Sequence, residues 1–128
     1  MAEYTGKVAA TVIHDEQEDK VLTARRADNG EWEFPGGKQH RDETIVETAE
    51  REIKEELGIQ IEAQEASKKD SYRSDGYEIV PVYATKTKES YRIELSDHTE
   101  YRWIDRTDTE MLEKLGEETE CMEAFNLI

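Results

Sequence analysis

Apolar residues of this chain fall into short runs that polar or glycine-containing segments separate. Runs of this length with turn residues between them predict β-strands. We predict strands at residues 7–14, 20–26, 77–85, 91–95 and 100–105, and residues 59–63 alternate apolar and polar positions. The polar segment 15–19 separates the first two strands, which therefore form a hairpin. Pro81 indicates an edge strand or a bulge, because proline has no N–H to donate to a neighbouring strand.

Helical spacing of apolar residues replaces this pattern between Thr44 and Gly58. The apolar positions lie three or four residues apart, as on one face of a helix, and are Val46, Ala49, Ile53 and Leu57. Thr44 and Glu47 form a capping box for the first free N–H groups of this helix, and Gly58 supplies its C-terminal stop. We therefore predict a helix over residues 45–57.

Two more helices are predicted near the end of the chain. Residues 107–110 form a second capping box, whose helix Gly116 closes, and residues 118–125 predict a short last helix. Upstream, residues 35–37 (Pro-Gly-Gly) are expected to break any regular structure. Strands combined with two or three helices predict an α/β fold, an α/β/α sandwich with a mixed sheet.

Composition narrows the class of protein further. A chain of 128 residues favours a single domain over residues 1–128, and its first seven residues lack the apolar segment of a signal peptide. The formal net charge of −15 argues against duplex nucleic acid and anionic membranes as partners, since both are bound through lysine and arginine. Cys121 is the single cysteine, so no disulfide forms within the chain, which fits the cytoplasm.

The predicted helix 45–57 carries an unusual arrangement of acidic residues. Glu52 and Glu56 project together beside its apolar stripe, and Glu55 lies one step further round. Like charges at this spacing repel each other unless a cation lies between them. An acidic surface helix is the simplest explanation of the segment in isolation. Carboxylates at the border of a buried face also suit a divalent cation, and Mg²⁺ is the usual one where phosphates are bound.

The segment from Gly37 to Ile59 decides between these explanations. Its defined positions, separated by fixed distances, are Gly37, Glu43, Arg51, Glu52, Ile53, Glu55, Glu56, Gly58 and Ile59. At every one of them the chain resembles the signature of the Nudix hydrolase superfamily. The order of elements resembles the Nudix fold along nearly the whole chain, although only residues 32–59 carry motifs specific to the family.

The resemblance implies a metal site and catalytic residues. Its ligands for Mg²⁺, which Mn²⁺ can replace, are the Gly36 carbonyl and the carboxylates of Glu52, Glu55 and Glu56. Arg51 orients a neighbouring carboxylate, and Glu43 either pairs with it or acts as a second acid. A carboxylate from a later loop completes the site or acts as base, and Asp97 and Glu100 are both candidates for it. His98 lies between these two, and we interpret it as a structural hydrogen-bonding residue.

Substrate contacts are expected upstream of the helix, from Arg25, Arg26, Trp32, Phe34 and Lys38. The arginine pair resembles one that touches phosphate or base in MutT-like proteins, and the aromatic residues either pack the core or stack on a base. Lys38 is a phosphate contact or an ordinary loop lysine. MutT-like enzymes that select oxidised guanine use an asparagine near the position of Glu118, so that specificity is not expected here.

Three functions remain open. The leading one is Mg²⁺-dependent hydrolysis of a nucleoside triphosphate to the monophosphate and pyrophosphate, as in MutT-like sanitation of the nucleotide pool, by a monomer or homodimer. The second is hydrolysis of a dinucleotide polyphosphate or another nucleoside diphosphate derivative, which the position of Tyr77 favours. The third is a non-catalytic Nudix fold that binds a nucleotide or a protein. Such members usually lose a helix glutamate, whereas this chain keeps all of them.

Overall fold

The computed structural model describes residues 4–87 and 92–128. Its strands are β1 (Tyr4–Asp15), β2 (Lys20–Arg26), β3 (Trp32–Glu33), β4 (Gly36–His40), β5 (Glu62–Ala66), β6 (Tyr72–Ser74), β7 (Tyr77–Thr85) and β8 (His98–Ile104). Its helices are α1 (Ile45–Leu57), α2 (Thr109–Leu115) and α3 (Thr119–Glu123). The helix predicted at 45–57 is confirmed at both ends, with the Thr44 capping box and Gly58 in the left-handed region at φ 68°.

The sheet is mixed and is centred on β1. β1 runs parallel to β7 and antiparallel to β2 and β4. β2 continues the sheet to β3 and β8, and β7 continues it to β5 and β6. β1 and β2 form the hairpin expected from the polar segment between them.

Helices cover both faces of this sheet. On one face, α1 buries Ile53 and Leu57 against Ile13 of β1 and Leu22 of β2. On the other face, α2 and α3 bury apolar residues against Val12 of β1, and these are Met111, Leu115, Cys121 and Met122. Because successive strand residues point to opposite faces, β1 supplies both cores from neighbouring positions. The predicted α/β/α sandwich with a mixed sheet is confirmed.

The strand expected at residues 91–95 is wrong for its described part. Residues 92–95 form no strand, and residue 91 lies outside the described residues. The segment follows the end of α1 instead, where the Glu94 N–H donates to the Leu57 carbonyl at 2.9 Å and the Ser96 N–H donates to the Glu56 carbonyl at 3.2 Å. Free carbonyls at the helix terminus therefore hold this segment, and they bring residues 96–98 beside α1.

Pro81 does not mark a sheet edge, because β7 pairs on both sides. The Pro81 carbonyl accepts a hydrogen bond from the Ser67 N–H at 2.9 Å, at the point where the partner of β7 changes from β5 to β6. The N–H and carbonyl of one strand residue point to the same side. The side of β7 on which Pro81 lacks an N–H therefore faces the junction between β5 and β6.

Three local expectations also need correction. Gly36 and Gly37 do not break the structure, because they pair with Ala10 and Ala9 as the start of β4. The alternating segment 59–63 becomes a strand only from Glu62 onward. Helix α2 begins after Asp108, whose side chain accepts from the Met111 N–H, so the cap lies one residue later than predicted. It is a single side-chain cap and not the predicted capping box, because the methionine side chain cannot accept from the cap N–H in return. Within residues 4–87 and 92–128, no helix has the length and apolar character that crossing a membrane requires.

Candidate active site

Arg51 on α1 donates hydrogen bonds to three carboxylates. Its Nε and Nη2 atoms donate to the two oxygens of Glu43, at 3.0 and 2.7 Å. Its Nη1 atom donates to Glu52 at 3.0 Å and to Glu55 at 3.3 Å. Nη2 also donates to the Lys38 carbonyl of β4 at 3.0 Å. The planar guanidinium therefore fixes Glu52 and Glu55 relative to β4 and to the loop before α1.

Glu43 is held as a carboxylate. Its Oε1 atom accepts hydrogen bonds from the His40 N–H at 3.0 Å and the Thr48 hydroxyl at 2.8 Å, besides the bond from Arg51. The hydrogen bonds from Arg51 chiefly lower the pKa of Glu43 to about 2, against the effect of burial. Of the two sequence alternatives for Glu43, the observed geometry is the pair with Arg51.

Glu56 is in a different environment. It is only 6% exposed, and its Oε2 atom has no hydrogen-bond partner among the described residues. Burial, followed by the charges of Glu52, Glu33 and Asp97, raises the pKa of Glu56 to about 9. Burial also raises the pKa of Glu52, against the effect of Arg51. A buried carboxyl among carboxylates is neutralised either by a proton or by a cation, so this donor set fits a divalent metal ion.

The glycine pair before Lys38 allows these groups to approach closely. A Cβ on Gly37 would lie 2.3 Å from the carboxyl carbon of Glu52, and a Cβ on Gly36 would lie 1.8 Å from the Ala9 carbonyl oxygen. Side chains at these positions would displace Glu52 from β4 and β4 from β1. The pair therefore serves close packing of the acidic helix against the sheet.

A cavity of about 800 Å³ opens beside these carboxylates. This volume lies in the range of small-molecule sites. Of the residues predicted to form the site, those that line the cavity are Arg26, Trp32, Phe34, Gly36, Lys38, Glu52, Glu56 and Asp97. Glu43, Arg51 and Glu55 do not line the cavity, but the hydrogen bonds of Arg51 link Glu43 and Glu55 to Glu52 in its wall.

Arg25 and Glu100 lie outside the cavity wall. They are opposite each other on β2 and β8, with Arg25 Nη1 3.4 Å from Glu100 Oε2. Arg25 also donates from Nε to the Gly30 carbonyl at 2.9 Å. Because neighbouring strand residues point to opposite faces, Arg26 reaches the cavity and Arg25 does not. Of the two later carboxylates, Asp97 is the one beside the cavity.

The substrate-binding candidates are held in different ways. Trp32 and Phe34 are buried in the core under α2 and α3, and they also form part of the cavity wall. Lys38 is exposed, and its Nζ lies 5.0 Å from the centre of the Tyr77 ring and 5.6 Å from that of Tyr4. Arg26 forms two hydrogen bonds with Asp28, at 2.9 and 2.6 Å.

Sequence reasoning missed Glu33 and assigned no ligand role to His98 or Glu118. Nε2 of His98 lies 2.9 Å from Glu33 Oε2 and 3.7 Å from Glu56 Oε1. Glu118 accepts a hydrogen bond from the Phe34 N–H at 3.0 Å and lines the cavity. Burial raises the pKa of Glu118 to about 8. The resemblance to MutT-like enzymes had drawn attention to the position of Glu118, but no sequence signal marks Glu33.

Comparison with known proteins identifies the family. The model of the NUDIX domain matches residues 5–124. The chain belongs to the Nudix family. A MutT-like protein of Streptomyces ambofaciens is 34% identical over 111 residues, which cover 86% of this chain and 68% of that protein. The dihydroneopterin triphosphate diphosphatase of Escherichia coli K12 is 28% identical over 131 residues, which cover 89% of this chain and 87% of that one.

A solved structure agrees with this assignment at the level of the fold. The MutT protein from Methanosarcina mazei Go1 superposes with a TM-score of 0.73 at 24% identity, over 94% of this chain and 91% of that one. The chain is thus a Nudix hydrolase of nucleoside diphosphate-linked substrates. Nudix hydrolases typically use divalent metal ions, and Glu56 belongs to a group of side chains that could hold a metal ion.

Proposed function

We propose that this Nudix hydrolase cleaves a nucleoside triphosphate into the nucleoside monophosphate and pyrophosphate, with Mg²⁺ as its cofactor and Mn²⁺ as a substitute. The observation that carries the proposal is the buried Oε2 atom of Glu56 beside Glu52, which has no hydrogen-bond partner within residues 4–87 and 92–128. Both side chains line a cavity large enough for a nucleotide. The two relatives support the triphosphate class, since one is MutT-like and the other is named for a pterin triphosphate.

In this proposal the cofactor is held by the Gly36 carbonyl and by the carboxylates of Glu52, Glu55 and Glu56. When bound, Mg²⁺ neutralises the negative charge that develops on the phosphoryl oxygens. Arg51 keeps Glu52 and Glu55 in a fixed orientation through hydrogen bonds of 3.0 and 3.3 Å. Fixed ligands avoid the reorganisation that mobile carboxylates would need in the transition state.

The remaining roles follow from position in the cavity. Asp97 accepts the proton of the attacking water, because it lines the cavity where Glu100 does not. Lys38 and Arg26 contact the phosphate chain, since both present positive charge to the same cavity. Trp32 and Phe34 form the apolar wall for the base. The proposal places this activity in the cytoplasm, where the buried thiol of Cys121 stays reduced.

A dinucleotide polyphosphate is the second candidate substrate. Tyr77 lines the same cavity as Lys38, and its ring centre lies 5.0 Å from Lys38 Nζ. A tyrosine in that position offers a second stacking surface beside the phosphate chain. A base at each end of the polyphosphate would then contact Tyr77 and the Trp32–Phe34 wall.

Product analysis tests the proposal. The protein is incubated with Mg²⁺ and a panel of nucleoside triphosphates, a pterin triphosphate and a dinucleotide polyphosphate, and the products are followed by phosphorus NMR. Release of pyrophosphate and monophosphate from the triphosphates supports the leading function. Cleavage of the dinucleotide alone supports the second candidate. Binding of these compounds without any phosphorus-containing product would leave a non-catalytic binder and overturn both.

A further inference from the structure

Glu33, Glu56 and His98 form a second group of possible metal ligands in the cavity wall. One ligand atom from each lies within 4.8 Å of the others. His98 Nε2 is 2.9 Å from Glu33 Oε2 and 3.7 Å from Glu56 Oε1. Only Glu56 belongs also to the Mg²⁺ site of the proposed function. We call this set the histidine cluster.

Three different elements bring the histidine cluster together. Glu33 lies on β3, Glu56 in the last turn of α1, and His98 at the start of β8. Ser96 ties the segment before β8 to α1, because its N–H and hydroxyl both donate to the Glu56 carbonyl, at 3.2 and 3.3 Å. Arg26 approaches Glu33 from the other side, with 3.7 Å between Nη1 and Oε1. The contacts of Ser96 with α1 and of Arg26 with Glu33 therefore position the cluster.

The histidine cluster contains buried polar atoms. Glu56 and His98 are each 6% exposed, and Glu33 keeps 21% of its side chain exposed. Among the described residues, Glu56 Oε2 and His98 Nδ1 have no hydrogen-bond partner. An unpaired buried polar group destabilises the folded state. A simple Glu33–His98 ion pair leaves the Glu56 oxygen unsatisfied, whereas a cation between the three side chains engages both carboxylates.

We propose that the histidine cluster is a second divalent-cation site, which prefers a first-row transition ion such as Mn²⁺, Co²⁺ or Zn²⁺ to Mg²⁺. The imidazole decides the preference. Mg²⁺ favours oxygen ligands and retains its waters, whereas imidazole nitrogen is a good ligand for the transition ions. Glu56 has two oxygens and belongs to both sites, so it joins the two cation positions. The site goes beyond the proposed hydrolysis and needs no nucleotide to form.

Cobalt provides a direct probe of an imidazole ligand. The protein, without nucleotide, is titrated with Co²⁺ in a roughly hundredfold excess of Mg²⁺, which competes for the all-oxygen site. Proton NMR in water then reports an exchangeable ring N–H, shifted far outside the normal range, only where a histidine binds Co²⁺. We expect one such resonance, its loss in His98→Gln and its persistence in His14→Gln. His14 is a matched control, because its ring contacts Tyr83 and Asp19 away from the cavity.

A second variant keeps the test valid even if His98→Gln, a change at a buried position, fails to fold. Glu33→Gln keeps the shape of a partly exposed side chain, and it should weaken Co²⁺ binding at least tenfold or so. No shifted ring resonance in the wild type, its survival in His98→Gln, or unchanged Co²⁺ affinity in Glu33→Gln would overturn the inference. Hydrolysis is scored separately with Mg²⁺ alone. A cobalt signal from a protein that cleaves no nucleotide would support the site and overturn only the proposed function.

Discussion

Arg51 and Glu43 form a two-point ion pair, with Nη2–Oε1 at 2.7 Å and Nε–Oε2 at 3.0 Å. This pair uses one edge of the guanidinium and leaves Nη1 to face Glu52 and Glu55. Glu43, in the loop before α1, therefore orients Arg51. Arg51 in turn orients Glu52 and Glu55 on α1. The pair explains why the acidic helix carries an arginine among its glutamates.

Arg51→Lys tests this relationship. A lysine ammonium cannot reproduce the planar fork, so it leaves part of Glu43, Glu52 or the Lys38 carbonyl without a donor. We expect the free energy of unfolding to fall by about 1–3 kcal/mol and kcat to fall at least tenfold or so. Urea unfolding and initial-rate kinetics measure the two effects. Glu50→Gln, at an exposed position of the same helix, is the control and should change neither quantity.

Glu43 should make folding stability sensitive to acid. Its pKa is lowered from 4.5 to about 2, so its stabilising effect is complete above pH 4.5 and is lost as the pH falls towards 2. Compared with Glu43→Gln, the wild type should lose up to about 3 kcal/mol more over that window. Chemical unfolding at a series of pH values gives the difference. If the free energy of unfolding changes with pH equally in the wild type and the variant, the ion pair contributes nothing to folding stability.

Glu118 should make folding stability decrease as the pH rises, the opposite of the effect of Glu43. Its pKa is raised from 4.5 to about 8, so the folded protein prefers the protonated carboxyl, and stability falls as the pH rises from 4.5 to 8. Glu118→Gln keeps an acceptor for the Phe34 N–H and carries no charge. Between pH 5 and pH 8.5 it should therefore gain roughly 2 kcal/mol or more relative to the wild type. Glu117→Gln, at the exposed neighbouring position, should show no such gain.

Added Mg²⁺ should stabilise the folded protein before any substrate is present. The repulsion between Glu52 and Glu56 is relieved when a cation binds only the native state. Thermal melts with and without millimolar Mg²⁺, at matched ionic strength, should differ by several degrees in the wild type. The shift should shrink in Glu56→Gln. A wild-type melting temperature that does not change with Mg²⁺ would contradict a metal site formed by the folded helix.

Local signals explain what the sequence predicted well. The ends of α1 follow from the Thr44 capping box and from Gly58, and β2 and β7 follow from short apolar runs that turn residues bound. Each signal lies within the element that it defines or directly beside it. The segment 92–95 was mispredicted because its partners are the terminal carbonyls of α1, which its own composition does not reveal.

Long-range contacts explain what the sequence left open. The choice between Asp97 and Glu100 depends on the register of β8 against β2, which places Glu100 opposite Arg25. The histidine cluster joins Glu33 to His98 across 65 positions of the chain. No periodic pattern or short motif links residues this far apart in the sequence, so only the folded sheet brings these side chains together.

In the proposed function, Glu56 binds a cation that hydrolysis requires. The most direct measurement compares kcat for nucleoside triphosphate cleavage by the wild type and Glu56→Gln at saturating Mg²⁺, with far-ultraviolet circular dichroism to show that both are folded. We expect Mg²⁺-dependent release of pyrophosphate by the wild type and a loss of at least about a hundredfold in the variant. A folded variant that keeps more than about a tenth of the wild-type kcat, a barrier change below ~1.4 kcal/mol, would contradict it.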